Sequence, residues 1–317
     1  MAVEPSSVPA PRIGASAFIL GVQPFHPHSR NAAPPTYDAI MTDCTTFSSE
    51  VLTIERSGHI ATLWLDRPEA RNAMGTAFFA DLPGAVAALD ADEEVRVIVV
   101  AARGPHFSVG LDLKQMSLSS GGSGASQATK AARFRVALKE MQAGITALAN
   151  SPKATIAIVH GYCIGGGVDL IAACDLRYAS ADAIFSVRET KIAIVADLGT
   201  LQRLPRIIGA GHVAELALTG KDISAERAAQ IGLVNHVCGD SASDVLAAAQ
   251  ELANEIAANS PLSVEGTKSV LAANDGKTVA EGLDYVARWN AMYIQSNDLR
   301  EAMTAFLERR PPVFTGD

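Results

Sequence analysis

The sequence predicts an α/β core followed by a helical C-terminal appendage. From residue 51 to about residue 187, short apolar runs alternate with segments of helical period, as in strands and helices packed on a common sheet. After about residue 223 the period is almost entirely helical. A third observation bears on function. Three consecutive glycines, Gly165, Gly166 and Gly167, lie between a strand-like run and an apolar helix. Three carboxylates, Asp169, Glu189 and Asp197, follow among residues that otherwise read as core.

Residues 1–45 are rich in Pro, Ala and Ser without periodicity and read as a flexible extension, with Met41 as an alternative start. The runs 51–56 and 59–65 have hairpin spacing around Ser57-Gly58. A helical pattern covers 76–89, and Pro83-Gly84 predicts a break or kink in it. Residues 97–102 form a continuous apolar run, expected of a strand covered on both faces. The segment 117–127 (SLSSGGSGASQ) reads as a low-complexity loop. A helix over 131–148 leads into a strand at 155–159, a helix at 165–173, and strands at 175–178 and 184–187. Helices are expected at 225–231, 245–258, 262–273, 279–293 and 298–307. The organisation is thus an extension (1–45), a core carrying the site (46–245) and a C-terminal helical region (246–317), with no internal repeat.

Composition narrows the function classes. The chain has 317 residues, enough for a full core, with 48% hydrophobic and 19% charged residues. A net charge of −8 and the lack of any Lys/Arg run argue against nucleic acid as a partner. No apolar run approaches the roughly 18 residues of a membrane span. The piece 15–22 is short, with only Arg12 as a basic flank, so no secretory signal is expected. The first forty residues hold two arginines and Glu4, a poor transit peptide, and the final Thr315-Gly316-Asp317 is not a peroxisomal address. Cys44, Cys163, Cys174 and Cys238 show neither C-x-x-C nor metal-ligand spacing, so free thiols in a reducing compartment and no metal are expected. The expected location is the cytoplasm, or the mitochondrion in a eukaryotic cell.

The glycine triplet is neither a dinucleotide fingerprint nor a P-loop, since G-x-G-x-x-G and G-K-[ST] are both absent. It would serve simply to let a helix pack closely on a sheet. It would equally present bare backbone amides to a developing anion. A second strand end, 103–112 (RGPHFSVGLD), also turns through glycine. Two such loops can aim one N–H each at a single carbonyl oxygen, the minimum for an oxyanion hole. Each carboxylate has a bland alternative: Glu189 paired with Arg188 or Lys191, Asp169 serving a helix's first turn, Asp197 as an N-cap for a helix starting near Leu198. Asp175 and Arg177 read as a structural pair, Asp112 as a loop cap, and His160 as structural.

The segments HFSVGLDL, HGYCIGGGVDLIAACDLRYAS, RPEARNAM and AFLERRPPVFTG resemble the crotonase family of enoyl-CoA hydratases and isomerases, over 51–314. The resemblance implies a core of repeated β-β-α units in roughly perpendicular sheets, with C-terminal helices that assemble a homotrimer or a dimer of trimers. It implies an acyl-CoA thioester substrate and no separate cofactor, coenzyme A being part of the substrate. The backbone amides of Leu111 and Gly166 would hold the thioester oxygen. Arg71 and Ala73, in the RNAM turn, would meet the adenine end of CoA, and Phe306 with Arg309 would reach its phosphates, from a neighbouring subunit.

Hydratases of the family carry glutamates at the positions of both Asp169 and Glu189. Here the first is one methylene shorter, and Asp197 is an added carboxylate. The trio Asp169, Glu189, Asp197 and the segment VAEGLDYVARWN (279–290) resemble the Δ3,5-Δ2,4-dienoyl-CoA isomerases. This implies proton transfer from C2 to C6 by Glu189 and Asp197; we place Asp197 at C2 and Glu189 at C6, the reverse assignment staying open, with Asp169 tuning Glu189. Clustered carboxylates resist ionising together, so one is expected to hold a proton at neutral pH. The competing readings are an enoyl-CoA hydratase and a non-catalytic scaffold or RNA-binding member. The loop 117–127 and the helix from 131 are expected to set acyl chain length.

Overall fold

A computed structural model describes residues 47–115 and 124–317; the extension 1–45 and most of the loop 117–127 lie outside these. The hairpin forms as expected: β1 (Leu52–Ser57) and β2 (Ile60–Leu65) pair antiparallel, Ser57 opposite Ile60. Next come α1 (Thr76–Ala91), β3 (Val97–Ala102), α2 (Gln127–Asn150), β4 (Ala154–Val159), β5 (Tyr162–Ile164) and α3 (Gly166–Ile171). They are followed by β6 (Leu176–Ala179), β7 (Ile184–Ser186), α4 (Thr200–Ile207), α5 (Ala210–Thr219), β8 (Ile223–Ser224), α6 (Ala225–Gln230) and β9 (His236–Val237). The chain ends in α7 (Ala242–Ala257), α8 (Pro261–Ala273), α9 (Val279–Tyr293) and α10 (Asn297–Glu308).

The β-β-α repeat is visible in how strands are dealt between two sheets. The larger has the order β1-β2-β3-β4-β6-β9 and is parallel beyond β2; the smaller has the order β5-β7-β8. In β4-β5-α3 and in β6-β7-α4 the first strand joins the larger sheet and the second joins the smaller. Between β3 and α2 the described residues contribute two isolated bridges, Ser108 beside Cys163 of β5 and Leu111 beside Met74. That truncated position is where the first glycine loop lies.

β3 is buried along its whole length. Its residues Ile98, Val100 and Ala102 face a core shared with α1, α2 and α3, while Val97, Val99 and Ala101 face α7. α7 meets the sheet with Val245, Ala249, Ala253 and Ala257, one stripe at i+4 spacing whose alanines allow close approach. The boundary expected at residue 245 therefore falls inside α7, a helix that covers the sheet.

Three features differ from the sequence reading. α1 runs unbroken through Pro83. Pro83 has no N–H for the Phe79 carbonyl one turn back, and α2 passes that carbonyl at Gly144, where a Cβ would lie 3.4 Å from it. Buried Phe78, Phe79, Leu82, Val86 and Leu89 hold the helix together across the proline. α5 was not anticipated, and α4 entered only as the helix near Leu198 in the capping alternative for Asp197; it starts at Thr200. Asp175 and Arg177 are structural but do not pair: Asp175 accepts from Thr155 N (2.8 Å) and Lys268 Nζ (2.7 Å), whereas Arg177 donates to the carbonyls of Leu233 (2.8 Å) and Cys174 (2.7 Å). His160 is buried against the Gly104 carbonyl (2.8 Å), the structural role expected of it.

Candidate active site

Two loops meet where the oxyanion hole is expected. Loop 105–112 is stitched on one side to β5, through Ser108 N to the Tyr162 carbonyl (2.9 Å) and Ile164 N to the Ser108 carbonyl (3.0 Å). On its other side it is stitched to the RNAM turn, through Met74 N to the Gly110 carbonyl (2.8 Å) and Asp112 N to the Met74 carbonyl (3.0 Å). Asp112 also pairs with Arg67 (2.8 Å) and accepts from Lys114 N (3.1 Å), which caps the loop. Gly110 has φ +85°, and a Cβ there would lie 2.8 Å from the Ile164 carbonyl oxygen and 3.2 Å from Gly166 N. Only glycine lets the two loops come this close.

Leu111 N and Gly166 N are thereby neighbours: a Cβ on Gly166 would lie 3.8 Å from Leu111 N. Gly166 is the first residue of α3, so its amide is one of the helix's orphan donors. Neither amide donates to a protein acceptor among the described residues. Two unspent donors side by side are what an oxyanion hole needs.

The carboxylates gather beside these loops. Glu189 is 8% exposed, forms no ion pair among the described residues, and leaves Oε2 without a hydrogen-bond partner there. Arg188 is taken by Asp222, so the bland pairing for Glu189 is not made. Glu189 Oε1 lies 3.4 Å from where a Cβ on Gly165 would stand, placing the carboxylate against the glycine loop. Burial lifts its pKa to about 7, and the negative charges of Asp169 and Asp197 push the same way.

Asp169 is 1% exposed, and its Oδ1 accepts from Thr200 N at 2.6 Å. It thus caps α4, a helix other than its own. Burial raises its pKa to about 6, against the pull of the Thr200 hydrogen bonds. Asp197 is not an N-cap, because Gly199 holds that position of α4. It lies in an irregular stretch, residues 194–199, half-buried, with its pKa raised by burial. Glu189 also borders an apolar cleft of about 390 Å³ formed with Val195, Leu201, Val213, Ala217 and Leu218.

The CoA candidates divide. Arg71 and Ala73 lie in the RNAM turn against loop 105–112, with Arg71 (φ 52°) and Asn72 (φ 53°) both left-handed. Phe306 and Arg309 stand exposed at the end of α10, and among the described residues no hydrogen bond or ion pair joins them to this site. Sequence reasoning gave no role to Asn72, whose buried side chain donates to the carbonyls of Arg103 (2.8 Å) and His106 (2.9 Å) and accepts from Arg67 N (2.9 Å). Asparagine in a left-handed turn was its one available signal. Ser108, which bonds the Asn72 carbonyl (2.8 Å) and Gly110 N (3.1 Å), carried none.

Two glycine loops with adjacent unspent amides stand on interleaved β-β-α units, and the chain belongs to the enoyl-CoA hydratase/isomerase family, whose model matches residues 55–317. Among curated relatives it is 43% identical over 267 residues to the peroxisomal Delta(3,5)-Delta(2,4)-dienoyl-CoA isomerase of Arabidopsis thaliana, covering 84% of this chain and 96% of that one. It is 41% identical over 287 residues to the mitochondrial enzyme of that name from Dictyostelium discoideum, covering 90% and 96%. Among solved structures, an enoyl-CoA hydratase from Bacillus anthracis superposes with TM-score 0.76 at 28% identity, covering 84% of this chain and all of that one. One from Mycobacterium marinum does so at 0.73 and 33%, covering 84% and 99%.

Proposed function

We propose that this enzyme converts 3,5-dienoyl-CoA to 2,4-dienoyl-CoA, with Asp197 as the base at C2 and Glu189 as the acid at C6. The observation that carries this is the unequal burial of the two carboxylates. Glu189, nearly sealed and with a pKa of about 7, keeps a proton near neutrality; Asp197, half-exposed, gives its proton up more readily. Asp197 takes the C2 proton, and the C–H electron pair becomes the C1=C2 bond of an enolate whose oxygen rests on Leu111 N–H and Gly166 N–H. The negative charge is delocalised through C3=C4 and C5=C6. Glu189 then delivers its proton to C6, the double bonds settle at C2 and C4, and the thioester carbonyl re-forms. A proton passes from Asp197 back to Glu189, through solvent, to close the cycle. The apolar lining around Glu189 keeps water from competing for the enolate. The reaction needs no separate cofactor.

The names of the relatives support the substrate class, since the Arabidopsis and Dictyostelium proteins at 43% and 41% identity are called dienoyl-CoA isomerases. A hydratase is the second reading, favoured by the names of the structural neighbours. Asp169 weighs against it: it is one methylene shorter than the glutamate hydratases carry there, and its Oδ1 is turned to Thr200 N. The peroxisomal and mitochondrial relatives support an organelle in a eukaryotic cell over the cytoplasm; among the described residues no helix is long and apolar enough to cross a membrane. Exposed Leu283, Met292, Met303, Phe306 and Leu307 on α9 and α10 support a trimer or dimer of trimers, the state in which Phe306 and Arg309 would reach a neighbour's CoA.

The test is a two-substrate assay. Purified protein is offered 3,5-octadienoyl-CoA, followed by the conjugated-dienoyl ultraviolet band, and separately crotonyl-CoA, followed by loss of enoyl absorbance. Turnover of the first is expected. Turnover of crotonyl-CoA alone makes the enzyme a hydratase.

A further inference from the structure

We infer that Arg203, tied to Thr146 and supported by Gln142, is a positioning clamp that fixes Asp197 for proton removal at C2. The inference rests on the proposed role of Asp197. Asp197 belongs to no helix or strand, and its segment, 194–199, has no ladder of its own to hold it. A general base must be held within a fraction of an ångström of its proton, and a misplacement of about 1 Å costs on the order of 10²-fold in rate.

The structure supplies that hold from outside the segment. Gln142 Nε2 donates to the Asp197 carbonyl at 2.7 Å. Arg203 Nη1 donates to the Leu198 carbonyl at 3.2 Å, and its Nη2 donates to Thr146 Oγ1 at 3.0 Å. Gln142 and Thr146 are four residues apart on α2, so they present their side chains on one face. The segment is therefore pinned at consecutive carbonyls, 197 and 198, to a single helix. Two residues on, Asp169 holds Thr200 N.

Arg203 reaches its position by folding back over Gly199. A Cβ on Gly199 would lie 1.8 Å from Arg203 Nη1 and 2.9 Å from Cζ, and Gly199 has φ +129°. The glycine is thus required twice, by backbone conformation and by space for the guanidinium. Arg203 forms no salt bridge among the described residues, although burial disfavours its charge and Asp169 is the negative group that steadies it. A half-buried arginine spending both ends of its planar fork on neutral acceptors is an expensive way to hold a loop. The demand is intelligible if the loop carries the base. Lysine, with one ammonium point, cannot span both acceptors.

The experiment uses the full-length enzyme with Arg203→Lys, Thr146→Val and Gln142→Met, assayed on 3,5-octadienoyl-CoA and on the same substrate deuterated at C2. Expected for each variant is a kcat loss of about tenfold or more with KM within about twofold. The C2 primary isotope effect on kcat should grow, because proton removal becomes more nearly rate-limiting. In a double-mutant cycle the Arg203→Lys loss should largely vanish in an Asp197→Asn background and persist beside Glu189→Asp. An unchanged isotope effect, or losses that simply add in the Asp197→Asn background, would overturn the clamp. If Arg203→Lys fails to fold, Gln142→Met and Thr146→Val carry the same readings. A wild-type enzyme inactive on the dienoyl substrate would instead overturn the proposed function.

Discussion

In the proposed reaction the oxyanion loops and the Asp197 segment serve the same substrate, but they are built on opposite plans. Leu111 N and Gly166 N are main-chain donors, located by strand pairing, a helix start and glycines that let two loops touch. Asp197 acts through a side chain on irregular backbone, held by residues from α2, α3 and α4. The first plan is local and written in the backbone. The second is assembled by tertiary contacts. A change in the first should affect every thioester reaction the enzyme can run, whereas a change in the second should affect only the step its carboxylate performs.

The largest expected effects test that division. Asp197→Asn and Glu189→Gln should each reduce dienoyl isomerisation by about 10²–10⁴-fold, the usual range for a general acid or base, with KM little changed. Steady-state assays at matched pH measure this. Loss from only one of the two would leave a single shuttling carboxylate and break the proposed pairing.

Gly110→Ala comes next. Its Cβ would fall 2.8 Å from the Ile164 carbonyl oxygen at a φ of +85°, so the loops must separate and Leu111 N moves away from Gly166 N. Loss of one oxyanion donor typically costs about 10²–10³-fold in kcat. The loss should extend to any hydratase side activity on crotonyl-CoA, in contrast to Asp197→Asn. A variant with dienoyl activity intact would remove the Leu111 amide from the site.

The contrast also explains what the sequence could and could not disclose. The glycine loops were legible because Gly110 and the 165–167 triplet leave a mark that needs no partner. The hairpin, β3 and the C-terminal helices were legible for a similar reason: period 2, a fully apolar run and period 3.6 are local. The start of α4 was not, because it is capped by Asp169 from thirty-one residues upstream, not by Asp197 beside it or by its own N-cap, Gly199. The clamp was equally hidden, since Gln142 and Thr146 carried no signal within the helix over 131–148 and Arg203 none in the stretch after Leu198. Pro83 misled in the other direction: its local signal for a break is real, but the buried aromatic and aliphatic residues of α1 override it.

A third prediction concerns stability. The pKa of Glu189 is raised from 4.5 to about 7, so the fold binds this proton more tightly than the unfolded chain does. Its contribution is fully present below about pH 4.5 and is lost as pH rises through about 7. At pH 8.5 the ionised carboxylate then destabilises the fold by up to about 3 kcal/mol. Glu189→Gln should remove that slope, giving a variant more stable than wild type at pH 8.5 and little changed at pH 5. Urea midpoints at the two pH values would show it, and equal midpoints at both would mean that Glu189 is better solvated than its burial implies.

The smallest expected effect is the most specific. With Asp197 ionised and Glu189 protonated in the reactive form, kcat/KM should be bell-shaped in pH, and its alkaline limb reports loss of the Glu189 proton near pH 7. Asp169 helps keep that proton on Glu189 through its negative charge, while its oxygen caps Thr200 N. Asp169→Asn removes the charge and keeps a carbonyl that can still accept from Thr200 N. Glu189 should then lose its proton more easily, moving the alkaline limb to lower pH by a fraction of a unit to about one unit while the maximal rate changes less than tenfold. A limb that stays in place would confine Asp169 to capping. A limb that moves up would mean that the group titrating there is not Glu189.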